Sequence, residues 1–207
     1  MRRQVSVGRP RTAGLVMVLG GLLLALGGIA SFLVTHRGVK VMGASMEPTY
    51  RMGERLFTER VDAEAIGRGD VVLIRVPDRY REAPVLQRVV GTGGDHVVSD
   101  GTRITVNGRP ADEPYATNAS VGPAAEPYDV RVPEGYLFLL GDNRGNANDS
   151  RYFLDDHSGG VATSAVLGRV TEGAPPVVTT TAALGAALTL AGAGLWYRGR
   201  RDFRNTP

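Results

Sequence analysis

Ser45 is the residue of this sequence best suited to act as a nucleophile. It lies in the short stretch "GASMEPTY", residues 43–50, which is followed by a Gly-Glu turn. A serine hydroxyl becomes an effective nucleophile when a neighbouring base takes its proton. Ser45 is therefore either a nucleophile whose base lies elsewhere in the chain, or a hydroxyl in an ordinary loop.

Other common kinds of catalytic site have no counterpart in the sequence. The 207 residues include no cysteine, which excludes a disulfide framework, a thiolate metal site and a cysteine nucleophile. There is no HExxH motif and no phosphate-binding loop, and the three histidines, His36, His96 and His157, lie far apart. We therefore predict no metal and no cofactor.

Two long apolar runs lie near the ends of the chain. Ala13 to Thr35 is 23 residues without a charge, enough to cross a hydrocarbon core of about 30 Å. It is too long for the apolar core of a secretory signal peptide and is followed by a poor cleavage site, so we predict a retained anchor. Val177 to Tyr197, 21 residues, is less apolar but ends in an interfacial Trp-Tyr pair. A buried or amphipathic helix is the alternative for this second run.

The charges beside these runs predict the orientation of the chain in a membrane. Four arginines precede the first run and four follow the second, which by the positive-inside rule places both tails in the cytoplasm. Residues 37–176 carry 16 basic and 20 acidic residues, a net charge of −4. The basic character of the chain therefore comes from its membrane flanks, and we expect a lipid bilayer and not a nucleic acid as partner.

The region between the two runs has a β pattern. Short Val/Leu/Ile-rich segments bounded by turn residues occupy Gly69–Pro77 and Val85–Gly91, and Asn107-Gly108 is a strong hairpin signal. Two strands are predicted on either side of Pro133–Gly135, with residues 136–140 fully buried, and a last strand within residues 165–173. Residues 112–127 read as a surface loop.

The sequence resembles the S26 signal peptidases, the membrane-bound leader peptidases. "GASMEPTY" looks like the serine box of this family, and three further stretches match its boxes in order: "RGDVVLI" (68–74), "QRVVGTGGD" (87–95) and "GDNRGNANDSR" (141–151). In combining an N-terminal span with a second, C-terminal anchor, the chain resembles some Gram-positive members of the family, those of actinobacterial type. The resemblance implies a mainly β, antiparallel signal-peptidase-like fold between two transmembrane helices.

The resemblance also implies a Ser-Lys dyad, in which a buried neutral lysine takes the proton of Ser45. The strand Val39–Met42 would pair with the extended substrate, with Val39, Val41 and Gly43 as substrate-binding residues, and the Ser45 backbone N–H would face the oxyanion. Met46 would pack beneath the nucleophile. The last box would support the site: Asp142 and Arg144 would fix a turn, and Asp149 could pair with Arg151 and Arg88. Its remaining expected members are Ala147 and Ser150.

The sequence departs from the family pattern at the two positions that make the dyad. Gln87 stands where the family has its lysine, and an amide cannot act as a general base at neutral pH. Ala147 stands where the family usually has a serine that orients the lysine. Gly43, two residues before the nucleophile, lacks the hydroxyl that some members carry, but many members lack it too.

Two other residues are candidates for the missing base. Lys40, the only lysine, would lie about 16 Å along an extended strand from Ser45 and on its opposite face, so a juxtamembrane cation is the better interpretation. His157 is the second candidate, because eukaryotic relatives use histidine in the lysine's place, but it falls in a loop after the last box.

The expected function is that of a membrane-bound serine endopeptidase that cleaves the signal peptides of exported preproteins after small residues. The alternative is a catalytically impaired relative that binds exported peptide segments or regulates a true signal peptidase; a third possibility is a membrane protein that keeps only the fold. The expected organisation is a cytoplasmic basic tail (1–12), a transmembrane helix (13–36), an extracytoplasmic peptidase domain (37–176), a second transmembrane helix (177–197) and a second cytoplasmic tail (198–207), all at the plasma membrane.

Overall fold

A computed structural model describes residues 9–77, 79–80, 83–117, 126–171 and 176–204. The chain divides into two compact units. One contains the two long helices, and the other is a β domain, His36–Glu172. The prediction of a mainly antiparallel β domain, placed in the chain between two apolar helices, is confirmed.

The two helices, α1 (Arg9–Thr35) and α2 (Pro176–Arg204), pack closely in antiparallel directions. Both contain a segment long and apolar enough to cross a membrane. Their contact follows glycines spaced seven residues apart in α1: a Cβ on Gly14 would meet Gly192, one on Gly21 would meet Gly185, and one on Gly28 would meet Thr181. Glycine allows the two backbones to approach, as in small-residue interfaces between membrane helices. α2 continues past the predicted span as far as Arg204.

The described residues of the β domain form eleven strands in two antiparallel sheets. The strands are β1 (His36–Lys40), β2 (Arg55–Glu59), β3 (Val71–Ile74), β4 (Val85–Thr92), β5 (His96–Ser99), β6 (Ile104–Val106), β7 (Arg109–Pro110), β8 (Tyr128–Arg131), β9 (Tyr136–Leu140), β10 (Val161–Ala162) and β11 (Val166–Thr171). The seven-stranded sheet has the order β1-β2-β11-β3-β4-β9-β10, and the four-stranded sheet has the order β7-β6-β5-β8. β1 is therefore an edge strand of the larger sheet.

Strands β4 and β9 form the centre of the domain because their side chains are buried on both faces. On β9, Phe138 and Leu140 pack in the core that lies between the two sheets, whereas Leu137 and Leu139 pack with Val72 and Ile74 on the other face. The prediction that residues 136–140 are buried holds except at Tyr136, which is half-buried. A third apolar cluster lies next to β1 and includes Val41, Met46, Val71, Leu73 and Leu86.

The turn prediction at Asn107-Gly108 is confirmed. Both residues have positive φ, 55° and 74°, and Val106 pairs with Arg109 across a two-residue loop. These are the angles of a type I′ turn, which Asn-Gly favours because glycine has no Cβ and asparagine tolerates the left-handed region. The two strands predicted around Pro133–Gly135 also form, but β8 pairs with β5 in the smaller sheet and β9 pairs with β4 in the larger one.

Two local predictions differ from the structure. The strand expected at Val39–Met42 ends at Lys40, because Val41 turns back to exchange hydrogen bonds with Glu54 and Gly53 (2.9 and 2.8 Å) and Met42 is exposed. Of the loop expected at residues 112–127, residues 118–125 lie outside the described part. Residues 112–116 are irregular, and the Thr117 N–H donates to the Asp142 carbonyl at 2.8 Å.

Candidate active site

Ser45 is half-buried in a turn that follows β1. The Ser45 carbonyl accepts a hydrogen bond from the Asn143 N–H at 3.0 Å, and the Asn143 side-chain amide donates to the Ala44 carbonyl at 3.2 Å. These two bonds tie the serine turn to the stretch 141–151. The next residue, Met46, is only 1% exposed and packs in the apolar cluster beside β1. The Ser45 hydroxyl itself has no protein hydrogen-bond partner in the described part of the chain.

Arg88 connects the serine turn to the stretch 141–151 through a buried ion pair. Its guanidinium donates to both oxygens of Asp142, at 2.8 and 2.6 Å, and Asp142 is fully buried. Thr49, four residues after Ser45, donates to the same carboxylate at 2.5 Å, and the Tyr115 ring lies 3.9 Å from the guanidinium. Burial alone would lower the pKa of Arg88, but the bonds to Asp142 raise it above its ordinary value, so the guanidinium stays charged.

The expected pairing of Asp149 with Arg88 is not found. Arg88 lies opposite Leu140 in the β4–β9 ladder, so the two side chains share a face of the sheet. Asp142 follows Leu140 by two residues and therefore faces the same side as Arg88. Asp149 instead pairs with Arg151 alone, at 2.7 Å to each carboxylate oxygen. The sequence spacing identified the acidic residues of this stretch but could not show which strand face each one takes.

The rest of the stretch 141–151 forms a buried polar network. Arg144 pairs with Glu113 at 2.6 Å, and its Nε donates to the Gly141 carbonyl at 2.9 Å within the turn that Asp142 and Arg144 were expected to fix. Arg151 also donates to the Arg144 carbonyl at 2.8 Å, and Ser150 accepts a hydrogen bond from the Leu139 N–H at 2.9 Å. Breaking one member of such a buried pair leaves an uncompensated charge, which is strongly destabilising. These residues therefore hold the stretch rigidly beside the end of β9.

Gln87 is buried in β4 with 3% of its surface exposed. Its Nε2 donates to the Asn148 carbonyl at 2.8 Å and to the Tyr80 hydroxyl at 3.2 Å. Because β4 and β9 are antiparallel and Arg88 is opposite Leu140, the register continued by one residue places Gln87 opposite Gly141. Opposite residues of a ladder point to the same face, with Cβ atoms about 5 Å apart.

The atoms around Gly141 show which groups lie on the face of the sheet that carries Gln87. A Cβ at this position would touch the Cβ of Ala147 and would lie 2.7 Å from the Ser45 carbonyl oxygen. Ala147 is itself buried, at 3% exposure. Gln87, Ala147 and the Ser45 backbone therefore surround Gly141 on one face of the sheet, and glycine is required there because no side chain would fit.

Neither alternative base is brought to this face. Lys40 is exposed on β1, whereas its neighbours Val39 and Val41 pack in the cluster that contains Met46. The His157 ring stacks on Tyr136 at 4.8 Å and its Nδ1 lies 2.6 Å from the Asp156 carboxylate. Tyr136 begins β9 and Gly141 follows its end, so His157 lies at the opposite end of the strand, about 16 Å along it.

Several residues that contact this site were not predicted from the sequence, among them Asn143, Tyr80 and Tyr115. Asn143 lies within the quoted stretch 141–151, and its place between two charged residues was the available signal. Tyr80 reaches Gln87 from a loop and has a positive φ of 55°, which no local pattern predicts. Burial raises the pKa of the Tyr80 phenol, so its hydroxyl is neutral. Tyr115 lies in the segment predicted only as a surface loop.

The arrangement offers one hydroxyl on a rigid turn, a buried amide and a fixed ion pair. Among the described residues no group of three or more histidine, aspartate or glutamate side chains could hold a metal. Gly43 is exposed and a Cβ there would meet no atom within 4 Å, so the backbone before Ser45 is open to a ligand. No titratable side chain among the described residues contacts the Ser45 hydroxyl.

Comparisons with known proteins identify the family. A model of the family described as signal peptidase, peptidase S26, matches residues 12–172. The chain is 32% identical over 157 residues to a probable signal peptidase I-2 of Synechocystis, an alignment that covers 72% of this chain and 66% of that protein. It is 26% identical over 157 residues to signal peptidase I U of Bacillus subtilis, covering 72% of this chain and 83% of that protein.

A crystal structure of a signal peptidase I from Enterococcus faecalis matches 51% of this chain and 97% of its own, with 27% identity and a TM-score of 0.39. The chain spans just under two thirds of the length of the Synechocystis relative. Since the family model covers well over half of the sequence, the chain belongs to the S26 signal peptidase family.

Proposed function

We propose that this protein is a membrane-anchored serine endopeptidase of the signal peptidase I type, with Ser45 as nucleophile and the signal peptides of exported preproteins as substrates. The observation that carries the proposal is the turn of Ser45, which Asn143 ties by two hydrogen bonds to the buried stretch 141–151. A hydroxyl in an ordinary loop has no need of such an anchor. A nucleophile must be held within a fraction of an ångström to react efficiently.

The open edge of β1 supports the binding of an extended peptide. Among the described strands β1 pairs with β2 alone, so its other edge can add a strand from a substrate. Val39 and Val41 of this segment pack in the apolar cluster with Met46, next to the nucleophile. A substrate strand along this edge would lead its small residues past the exposed Gly43 to Ser45.

Cleavage is expected to be slow because the site has lost its base. Gln87 occupies the family's lysine position and Ala147 the position of the orienting serine. Lys40 points to solvent and His157 lies at the far end of β9. Positioned general-base catalysis is typically worth about 10²–10⁴ in rate. Without a general base, the chain keeps its nucleophile, its peptide-binding edge and its membrane anchors, but its cleavage rate falls by roughly that factor.

A second candidate function is peptide binding without cleavage, or regulation of an active signal peptidase. The observation that favours it is the buried amide of Gln87, which is held by Asn148 and Tyr80 and cannot accept the Ser45 proton. This candidate requires the β1 edge and the apolar cluster but not the Ser45 hydroxyl.

The proposed orientation in the membrane rests on the charges beside the helices. The proposal places the β domain outside the plasma membrane and both arginine-rich ends in the cytoplasm. The close antiparallel packing of α1 and α2 supports it, because a helical hairpin brings its two outer ends to one side.

The test is a cleavage assay with the full chain in detergent and a model preprotein that carries small residues before its cleavage site. The peptidase function is supported if the parent slowly releases the mature protein and the Ser45→Ala variant does not. If parent and Ser45→Ala bind the preprotein equally and neither releases mature protein, the binding function replaces the peptidase.

A further inference from the structure

Gln87 has a buried acceptor that no donor in the described part of the chain satisfies. Both hydrogens of its amide nitrogen are used, one by the Asn148 carbonyl and one by the Tyr80 hydroxyl. Its Oε1 is buried and has no partner. The orientation of the amide is fixed, because exchanging its oxygen and nitrogen would place Oε1 against the Asn148 carbonyl. Since buried polar atoms are nearly always paired, the unpaired Oε1 needs an explanation.

A candidate donor for Oε1 belongs to a residue whose backbone lies on the same face of the sheet. Continuing the β4–β9 register by one residue places Gln87 opposite Gly141, and the space above Gly141 is bounded by Ala147 and the backbone of Ser45. Ala147 offers no donor. The Ser45 hydroxyl is a donor without a partner in the described part of the chain. Gln87, with its unpaired acceptor, and Ser45, which carries the unpaired donor, therefore flank the same glycine.

We infer that Gln87 is a positioning residue that accepts a hydrogen bond from the Ser45 hydroxyl when that hydroxyl turns towards the electrophile that it attacks. This inference rests on the proposed function and deepens it. The amide oxygen does not take the proton, which leaves Ser45 for solvent during attack. The bond instead fixes the rotamer of Ser45 and turns an oxygen lone pair towards the substrate carbonyl. Asn148 and Tyr80 act through Gln87 by clamping its amide.

The inference predicts a specific difference between two substitutions of similar shape. Gln87→Met fills the same space without an acceptor. Gln87→Glu keeps an acceptor, and its second oxygen must carry a proton to face the Asn148 carbonyl. Burial and that contact raise the pKa of the new carboxyl above its ordinary value. Once the carboxyl loses its proton, it becomes a base beside Ser45.

The experiment measures the reactivity of Ser45 with a fluorophosphonate, which is independent of peptide binding. The Ser45 oxygen attacks phosphorus, fluoride leaves, and the Ser45 proton passes to solvent or to the new carboxylate. The full chain in detergent is labelled across pH 5–9, and mass spectrometry assigns the modified residue, with Ser45→Ala as control.

The expected result is a labelling rate for Gln87→Met about threefold to tenfold below the parent, the range for loss of one neutral hydrogen bond. Gln87→Glu should match the parent at low pH and exceed it by about 10²-fold or more as its carboxyl titrates. Tyr80→Phe removes one of the two clamps and keeps the acceptor, so its loss should be smaller than that of Gln87→Met.

The inference fails if Gln87→Met reacts as fast as the parent and Gln87→Glu shows no pH-dependent gain. If the parent is too slow to label, the Gln87→Glu variant decides alone: a pH-dependent gain at Ser45 supports the inference, and its absence overturns it. Preprotein cleavage by the same samples separates the two proposals. The expected labelling pattern without any cleavage keeps the positioning role and refutes the peptidase.

Discussion

Gly141→Ala should damage the candidate site by steric overlap, and the structure gives the size of the effect. The new Cβ would touch the Cβ of Ala147 and lie 2.7 Å from the Ser45 carbonyl oxygen, about 0.5 Å inside a comfortable contact. Neither neighbour is the end of a flexible side chain. Ser45 would have to move and so stretch the 3.0 Å bond from the Asn143 N–H.

The two costs give the expected magnitude. Overpacking of a closed site costs about 1–3 kcal/mol, and the weakened hydrogen bond about 0.5–1.5 kcal/mol. We expect a loss of about 2–4 kcal/mol in the free energy of unfolding of the β domain. A displaced nucleophile should also lower any peptidase activity by about 10–10²-fold.

Pulse proteolysis across a denaturant series is the suitable assay, because the single tryptophan, Trp196, lies in α2 and does not report on the β domain. The matched control is Gly43→Ala, where a Cβ would meet nothing within 4 Å and the change should stay within about 0.5 kcal/mol. Ala147→Gly in the Gly141→Ala background should recover part of the loss. Equal stability of Gly141→Ala and the control would refute the described packing around Ser45.

Three further predictions concern the ion pair, the helices and the orientation. Asp142→Ala should destabilise the β domain by about 3–5 kcal/mol in the same assay, because it removes a fully buried carboxylate and leaves the Arg88 guanidinium, whose side chain is only 11% exposed, without its counter-charge; a loss below about 1 kcal/mol would show that the pair is solvated. Gly21→Leu should separate α1 from α2 and shift the emission of Trp196, whereas Gly20→Leu, where a Cβ would meet no atom within 4 Å, should not; equal spectra would contradict the glycine interface. Protease added to intact spheroplasts should digest the β domain and spare tags on both ends, and loss of the C-terminal tag would show that α2 does not span.

Local features of the fold were readable from sequence because short-range chemistry determines them. Asn107-Gly108 specifies its turn through two residues that tolerate positive φ. The uncharged runs that form α1 and α2 are defined by length and composition alone. The buried strand β9 follows from its continuous apolar residues, although its partner could not be inferred, since a register depends on residues far apart in the chain.

The contacts of the candidate site were harder to predict for the same reason. Arg88 pairs with a residue 54 positions away, and the choice of Asp142 over Asp149 depends on which strand face each takes. Tyr80 reaches Gln87 from an irregular loop. The replacement of the lysine by Gln87 was visible in the sequence, but the fixed direction of its amide was not.

The central claim is that Ser45 is a nucleophile whose site lacks only its base and the orienting hydroxyl. The most direct measurement is preprotein cleavage by the double variant Gln87→Lys/Ala147→Ser, compared with the parent and with the same variant carrying Ser45→Ala. The account predicts a gain of about 10²–10⁴-fold over the parent, abolished by Ser45→Ala, and little gain from Gln87→Lys alone. A parent that already cleaves at the rate of the double variant would show that an unidentified base is present. A folded double variant that cleaves nothing would contradict the claim and favour the peptide-binding function.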